Sequence, residues 1–173
     1  MNERYKDYIR LVGLGLLFFL LETAVLPMIP FAWGKPNMLL LFVAAVGLYV
    51  GLLPGMITAV LLGAMADSLF SPILGPWIII YLIVAWIFIK IREAEWEAEK
   101  IYLAGIMGLV TALSYLIMAF LLFFFGYQYN WMTEILPFAA GEAVANMGLW
   151  IVLLWLFPRI IREAGKDYMS ALR

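Results

Sequence analysis

Between Ile9 and Phe157 the chain is a succession of apolar stretches, interrupted only by short turns carrying proline, glycine or charge. A helix needs about 20 apolar residues to cross the ~30 Å hydrocarbon core of a bilayer, and several of these stretches approach that length. Of 173 residues, 66% are hydrophobic and 13% charged. Soluble domains are nearer half apolar and a quarter charged. No water-soluble fold of this size could hide so much apolar surface, so the sequence predicts an all-α integral membrane protein.

Six transmembrane helices are expected, over about residues 9–27, 37–51, 55–70, 74–90, 101–125 and 135–157, in a single domain covering 1–173. Arg4, Lys6 and Arg10 ahead of the first run are reminiscent of a secretory signal. That run is long, however, and ends in Glu22 and Pro27 without a small-residue cleavage site, so it reads as a retained span. In PMIPFAWGKP (27–36) three prolines and a glycine prevent helix. Spans two and three are short, and Pro54 between Gly51 and Gly55 points to a tight turn joining a hairpin rather than one longer helix. With both termini cytoplasmic, the inner segments hold Arg4, Lys6, Arg10, Lys90, Arg92, Lys100, Arg159, Arg162, Lys166 and Arg173, and the outer ones only Lys35. This is the asymmetry that the positive-inside rule demands. Trp33, Trp77, Tyr127, Tyr129 and Trp131 then fall at the outer interface, and Trp86, Trp96 and Trp155 at the inner one.

In the third span Gly55, Ala59, Gly63 and Asp67 recur every four residues and share one helical face. Small residues so placed let a neighbouring helix approach closely. An acid on the same stripe would point into protein rather than lipid. Glu22, Asp67 and Glu142 all fall in the outer half of the expected membrane, with Glu134 at the mouth of span six. Each intramembrane carboxylate costs about 3 kcal/mol to insert and therefore wants a reason. No Lys or Arg shares their depth, which leaves Lys35 in the first outer loop as the one basic candidate near them. Two readings stand open: a polar cavity facing outward, or separate carboxyls hydrogen-bonded to neighbours such as Thr23, Ser68 or Asn146. Glu142 and Asn146 stand four apart, and with Ala139, Ala143 and Gly148 they mark span six as a small-residue packing helix. In the linker REAEWEAEK (92–100), Glu93, Glu97 and Lys100 fit one helical face, either solvated or offered to a basic partner.

Several function classes drop out. The chain has no Cys and no His, which removes disulfides, thiolate metal sites, cysteine nucleophiles and the commonest general base. Ser68, Ser71 and Ser114 have no histidine to activate them, and no hydrolase, P-loop or zinc-protease motif occurs. Basic residues form no patch for nucleic acid. The expectation is a protein that is not an enzyme and needs no cofactor or metal.

The runs KPNMLLLFVAAVGLYVG (35–51) and PGMITAVLLGAMADSLFSPILG (54–75) resemble the bacterial rod shape-determining MreD family. The resemblance rests on Pro36 and Asn37 before a leucine-rich helix, then Gly63, Asp67 and Ser71 in a G-x-x-x-D-x-x-x-S helix end, then Leu74 and Gly75. It covers roughly a quarter of the chain, and Asn37 stands where many members carry Asp. It implies a non-enzymatic inner-membrane component of the elongasome, which directs lateral peptidoglycan synthesis and cell shape. The implied partners are MreC, with its single transmembrane helix and external domain, then MreB, RodA and its transpeptidase, and membrane lipid. The family is also similar to the S-components of energy-coupling-factor (ECF) vitamin transporters, which implies an S-component-like bundle and, as the rival function, small-molecule binding. On the scaffold reading, the small-residue faces of spans two, three or six form the MreC groove and Asp67 holds the outer loops.

Overall fold

The computed structural model describes residues 3–31, 34–94, 99–128 and 130–170. Among them are six α-helices and no strand: α1 (Glu3–Leu20), α2 (Met38–Tyr49), α3 (Leu52–Phe70), α4 (Pro76–Glu93), α5 (Lys100–Phe124) and α6 (Leu136–Ser170). A π turn (Leu21–Val25) and a 3-10 turn (Leu26–Met28) extend α1, and a second π turn (Trp131–Ile135) leads into α6. Four stretches are long and apolar enough to cross a membrane: Ile9–Met28, Leu52–Phe70, Lys100–Phe124 and Thr133–Phe157. The protein is therefore an all-α, multi-pass membrane protein.

Two of the six expected spans are not among these four. α2 has 12 residues, a rise of about 18 Å, which falls short of the hydrocarbon thickness. α4 has 18 residues but ends in Lys90, Arg92 and Glu93. The reversal between α2 and α3 falls at Gly51, whose φ of 116° suits glycine. Pro54 lies inside the first turn of α3 instead of forming the turn, because a missing N–H costs nothing there.

α2 is the axis of the bundle. Every residue from Leu39 to Val46 is at most 1% exposed, and a helix apolar all round is stable only when surrounded. α1, α3, α4 and α6 enclose it, while α5 packs on α6 and α4. Where α1, α2 and α6 meet, the rings of Phe18, Phe42, Tyr49 and Phe157 have centroids 5.2–6.4 Å apart. At the C-terminus of α2, Arg92 donates to the Val50 carbonyl at 2.7 Å, a cation complementing the helix dipole.

The α3 stripe is buried along its length. A Cβ added at Gly63 would sit 2.6 Å from Ile78 Cα, and one at Gly55 3.2 Å from Gly47 Cα. Close approach therefore occurs as expected, but its beneficiaries are α4 and α2 of the same chain. On α6, Ala139 and Ala143 are buried, whereas a Cβ at Gly148 would meet nothing within 4 Å. Five residues turn a helix about 140° from Ala143, which takes Gly148 off the packed face. At the end of α4, Glu93 pairs with Lys90 at 2.6 Å. Trp33, Trp96, Glu97, Tyr129 and Arg173 lie outside the described residues.

Candidate functional site

The polar residues singled out in the sequence gather at one end of the bundle, around the starts of α2 and α4. Asp67 is 1% exposed. Its Oδ1 accepts from the Trp77 amide at 2.8 Å, and its Oδ2 from the Gly75 amide at 2.8 Å and the Ile78 amide at 3.3 Å. The first turn of a helix leaves four N–H groups without carbonyl partners. Here Pro76 has none to offer and one carboxylate, placed at the positive end of the dipole, takes the other three, from Gly75, Trp77 and Ile78. Ser71 ends α3, its amide donating to the Asp67 carbonyl at 3.2 Å and its Oγ accepting from Ile73 at 3.4 Å. Gly75, at φ 122°, makes the final bend into α4.

At the start of α2 the groups come from all over the chain. Pro36 is buried and leads an extended backbone into Asn37, the N-cap. Asn37 Oδ1 accepts from the Leu40 amide at 2.9 Å and from the Tyr81 hydroxyl at 3.1 Å. The Asn37 amide donates to Asn146 Oδ1 at 2.9 Å, and Asn146 Nδ2 donates to Thr111 Oγ1 at 3.1 Å. Glu22, carried on the π turn that follows α1, is 4% exposed. One of its oxygens accepts from the Met38 amide at 2.7 Å and the other pairs with Lys35 Nζ at 2.9 Å. The Lys35 ammonium also lies 5.2 Å from the centre of the Phe70 ring. Glu142, likewise 4% exposed, lies beside the Tyr115 hydroxyl and the Asn37 side chain. The loop carrying Lys35 is pressed onto α6: a Cβ at Gly34 would sit 2.7 Å from the Glu142 amide nitrogen.

The three expected acids thus divide. Glu22 and Glu142 converge on the start of α2, with Asn146 beside them, whereas Asp67 serves α4 alone. Lys35, the basic residue that the sequence placed near the acids, pairs with Glu22. Thr23 and Ser68 do not join, because each hydroxyl donates to a carbonyl four residues back, Phe19 and Ala64 respectively. Glu134 is exposed and binds the Asn130 amide at 3.2 Å ahead of α6. Tyr81, Thr111 and Tyr115 were missed in the sequence. Thr111 and Tyr115 are spaced i,i+4 on α5, as Glu142 and Asn146 are on α6. Antiparallel helices bring these pairs together in order, Thr111 to Asn146 and Tyr115 to Glu142, so the matched spacing was the available signal.

Chemically, the site has carboxylates, amides and hydroxyls committed to one another and to backbone amides. Among the described residues no three His, Cys, Asp or Glu side chains converge in a way that could hold a metal ion. No family model, curated protein or solved structure matches the chain.

Proposed function

We propose that the protein is a non-enzymatic membrane scaffold of the bacterial elongasome, of the kind its MreD-like motifs imply, acting in the cytoplasmic membrane. On this reading α2 and α4 complete six crossings inside a shell of longer helices, both termini are cytoplasmic, and the polar end faces outward. The observation that carries it is the use made of the motif residues. Asn37 and Asp67 cap α2 and α4, Gly63 sets the α3–α4 distance, and Ser71 and Gly75 shape the turn between them. Buried polar groups so engaged fix one arrangement of helices, which is what a scaffold needs.

An MreC-like transmembrane helix then has to dock on a face the chain does not itself consume. Of the three candidate faces, those of α2 and α3 are buried within the bundle, which leaves the open side of α6 around Gly148. MreB, RodA and its transpeptidase would join through the assembled complex. Co-expression with MreC, gentle solubilisation and size-exclusion chromatography test this. The wild-type pair should co-elute, and Gly148→Leu should release MreC while the protein itself stays monodisperse. Failure of the wild-type pair to co-elute would overturn the scaffold reading.

A second reading, a vitamin-binding S-component, draws on Glu142, a buried carboxylate among hydroxyl and amide groups at the same end. A co-purifying small molecule that raises the melting temperature on re-addition, or retention by energy-coupling-factor ATPase subunits, would replace the first reading with this one.

A further inference from the structure

At the opposite end of α6 from Glu142, the Arg159 guanidinium lies over the Trp155 indole, 3.8 Å from the ring centre. Trp155 is 55% exposed on the outside of the bundle, where a membrane-spanning helix meets lipid. Stacking on a residue four positions earlier draws the guanidinium back along α6 toward the apolar segment, rather than letting it extend into water. A guanidinium held over a ring still has N–H donors to offer, in the fork that fits a phosphate. The three buried carboxylates, Glu22, Asp67 and Glu142, are grouped at the far end of the bundle. Beyond Trp155 the same lipid-facing side continues through Val152, 56% exposed, and Val144, 70% exposed, with the notch at Gly148 between them. An acyl chain fits along that lane when its headgroup is held at the stack.

We propose that Trp155 and Arg159 form a headgroup site for an anionic phospholipid where α6 leaves the membrane, with the acyl chain lying over Gly148. A glycerol-phosphate headgroup brings a phosphate without an ammonium of its own. The ammonium of a zwitterionic lipid would be repelled by the guanidinium. This inference needs only that α6 spans a bilayer; it shares the Gly148 face with the scaffold reading, so the test uses the protein alone, where no MreC-like helix competes for that face.

The test is tryptophan quenching by lipids brominated on the acyl chain. The full-length protein is reconstituted into vesicles mixing brominated phosphatidylglycerol with plain phosphatidylcholine, or the reverse. Subtracting the signal of Trp155→Phe isolates Trp155. Wild type should show phosphatidylglycerol enriched at Trp155 by about fivefold, the enrichment one cation near the surface supplies. Arg159→Gln should abolish the preference, and Arg159→Lys should retain part of it. Lys90→Gln, which removes an exposed charge elsewhere, should leave it unchanged. Equal quenching by both lipids, a preference that survives Arg159→Gln, or an equal loss in Lys90→Gln would each overturn the proposal.

Discussion

The starts of α2 and α4 lie at the same end of the bundle, and each is closed by a buried carboxylate. At α4 the work is local. Asp67 is separated from Gly75, Trp77 and Ile78 by 8, 10 and 11 residues, and its only partners there are backbone amides. At α2 the work is distributed, since Met38 is held by Glu22 sixteen residues earlier and Asn37 by Asn146, 109 residues later. Glu22 also has Lys35, a cation that Asp67 does without. A cap built from one hairpin forms with that hairpin, whereas a cap built from four helices reports on the whole bundle. The α4 start should therefore break sharply and locally, and the α2 start in smaller, shared steps.

The largest loss is expected from Gly63→Leu, where a side chain would have to enter the space of the Ile78 backbone. About 3 kcal/mol, the upper end for overpacking, is the expected cost, seen as a lost monodisperse peak, whereas Gly148→Leu should leave that peak in place. Asp67→Ala comes next, at about 2–3 kcal/mol, because it strands amides that one charged group satisfied. Thermal unfolding in mild detergent measures it, and Asp67→Asn should recover only part. Asn146→Leu unpairs the Asn37 amide and Thr111 for about 1 kcal/mol, in line with polar contacts inside membrane bundles. The smallest effect is Lys35→Met. Its side chain is 41% exposed, so about 0.5 kcal/mol is expected, and the deficit should shrink as salt is raised.

Combining Asp67→Ala with Asn146→Leu tests the comparison itself. The two groups share no hydrogen-bond partner, so the losses should add to within about 0.5 kcal/mol. A clearly larger coupling would mean that the two starts act as one unit, with Tyr81 the evident link: it donates to Asn37 and its ring lies 5.4 Å from that of Trp77.

The same division explains what the sequence made legible. The membrane class, the order of the helices and the α3 stripe follow from composition and spacing, which are local properties. Asp67 was visible as an acid on that stripe, but its partners were not: the sequence offered side chains such as Ser68, whereas the carboxylate takes backbone amides 8–11 residues on. The cluster around Asn37 was visible only as scattered acids at similar depth. Nothing local says that α2 is the axis, that a π turn carries Glu22 to it, or that Thr111 and Tyr115 face Asn146 and Glu142. The run 37–51 holds α2 almost to the residue, yet it does not say what surrounds the helix. An apolar run reads as a span whether lipid or protein surrounds it, and here Asn37 stops the helix inside the protein.

The central position of α2 sets an order of assembly. At synthesis rates of about 5–20 residues per second, Asn146, 109 residues downstream of Asn37, is made roughly 5–20 s after it. During that interval the start of α2 has Glu22 and Asn37's own side chain but not the partner that closes it. The arrival of α6 is then the step that seals the axis, and a chain cut short before Asn146 would leave an open polar helix end that membrane quality control can recognise.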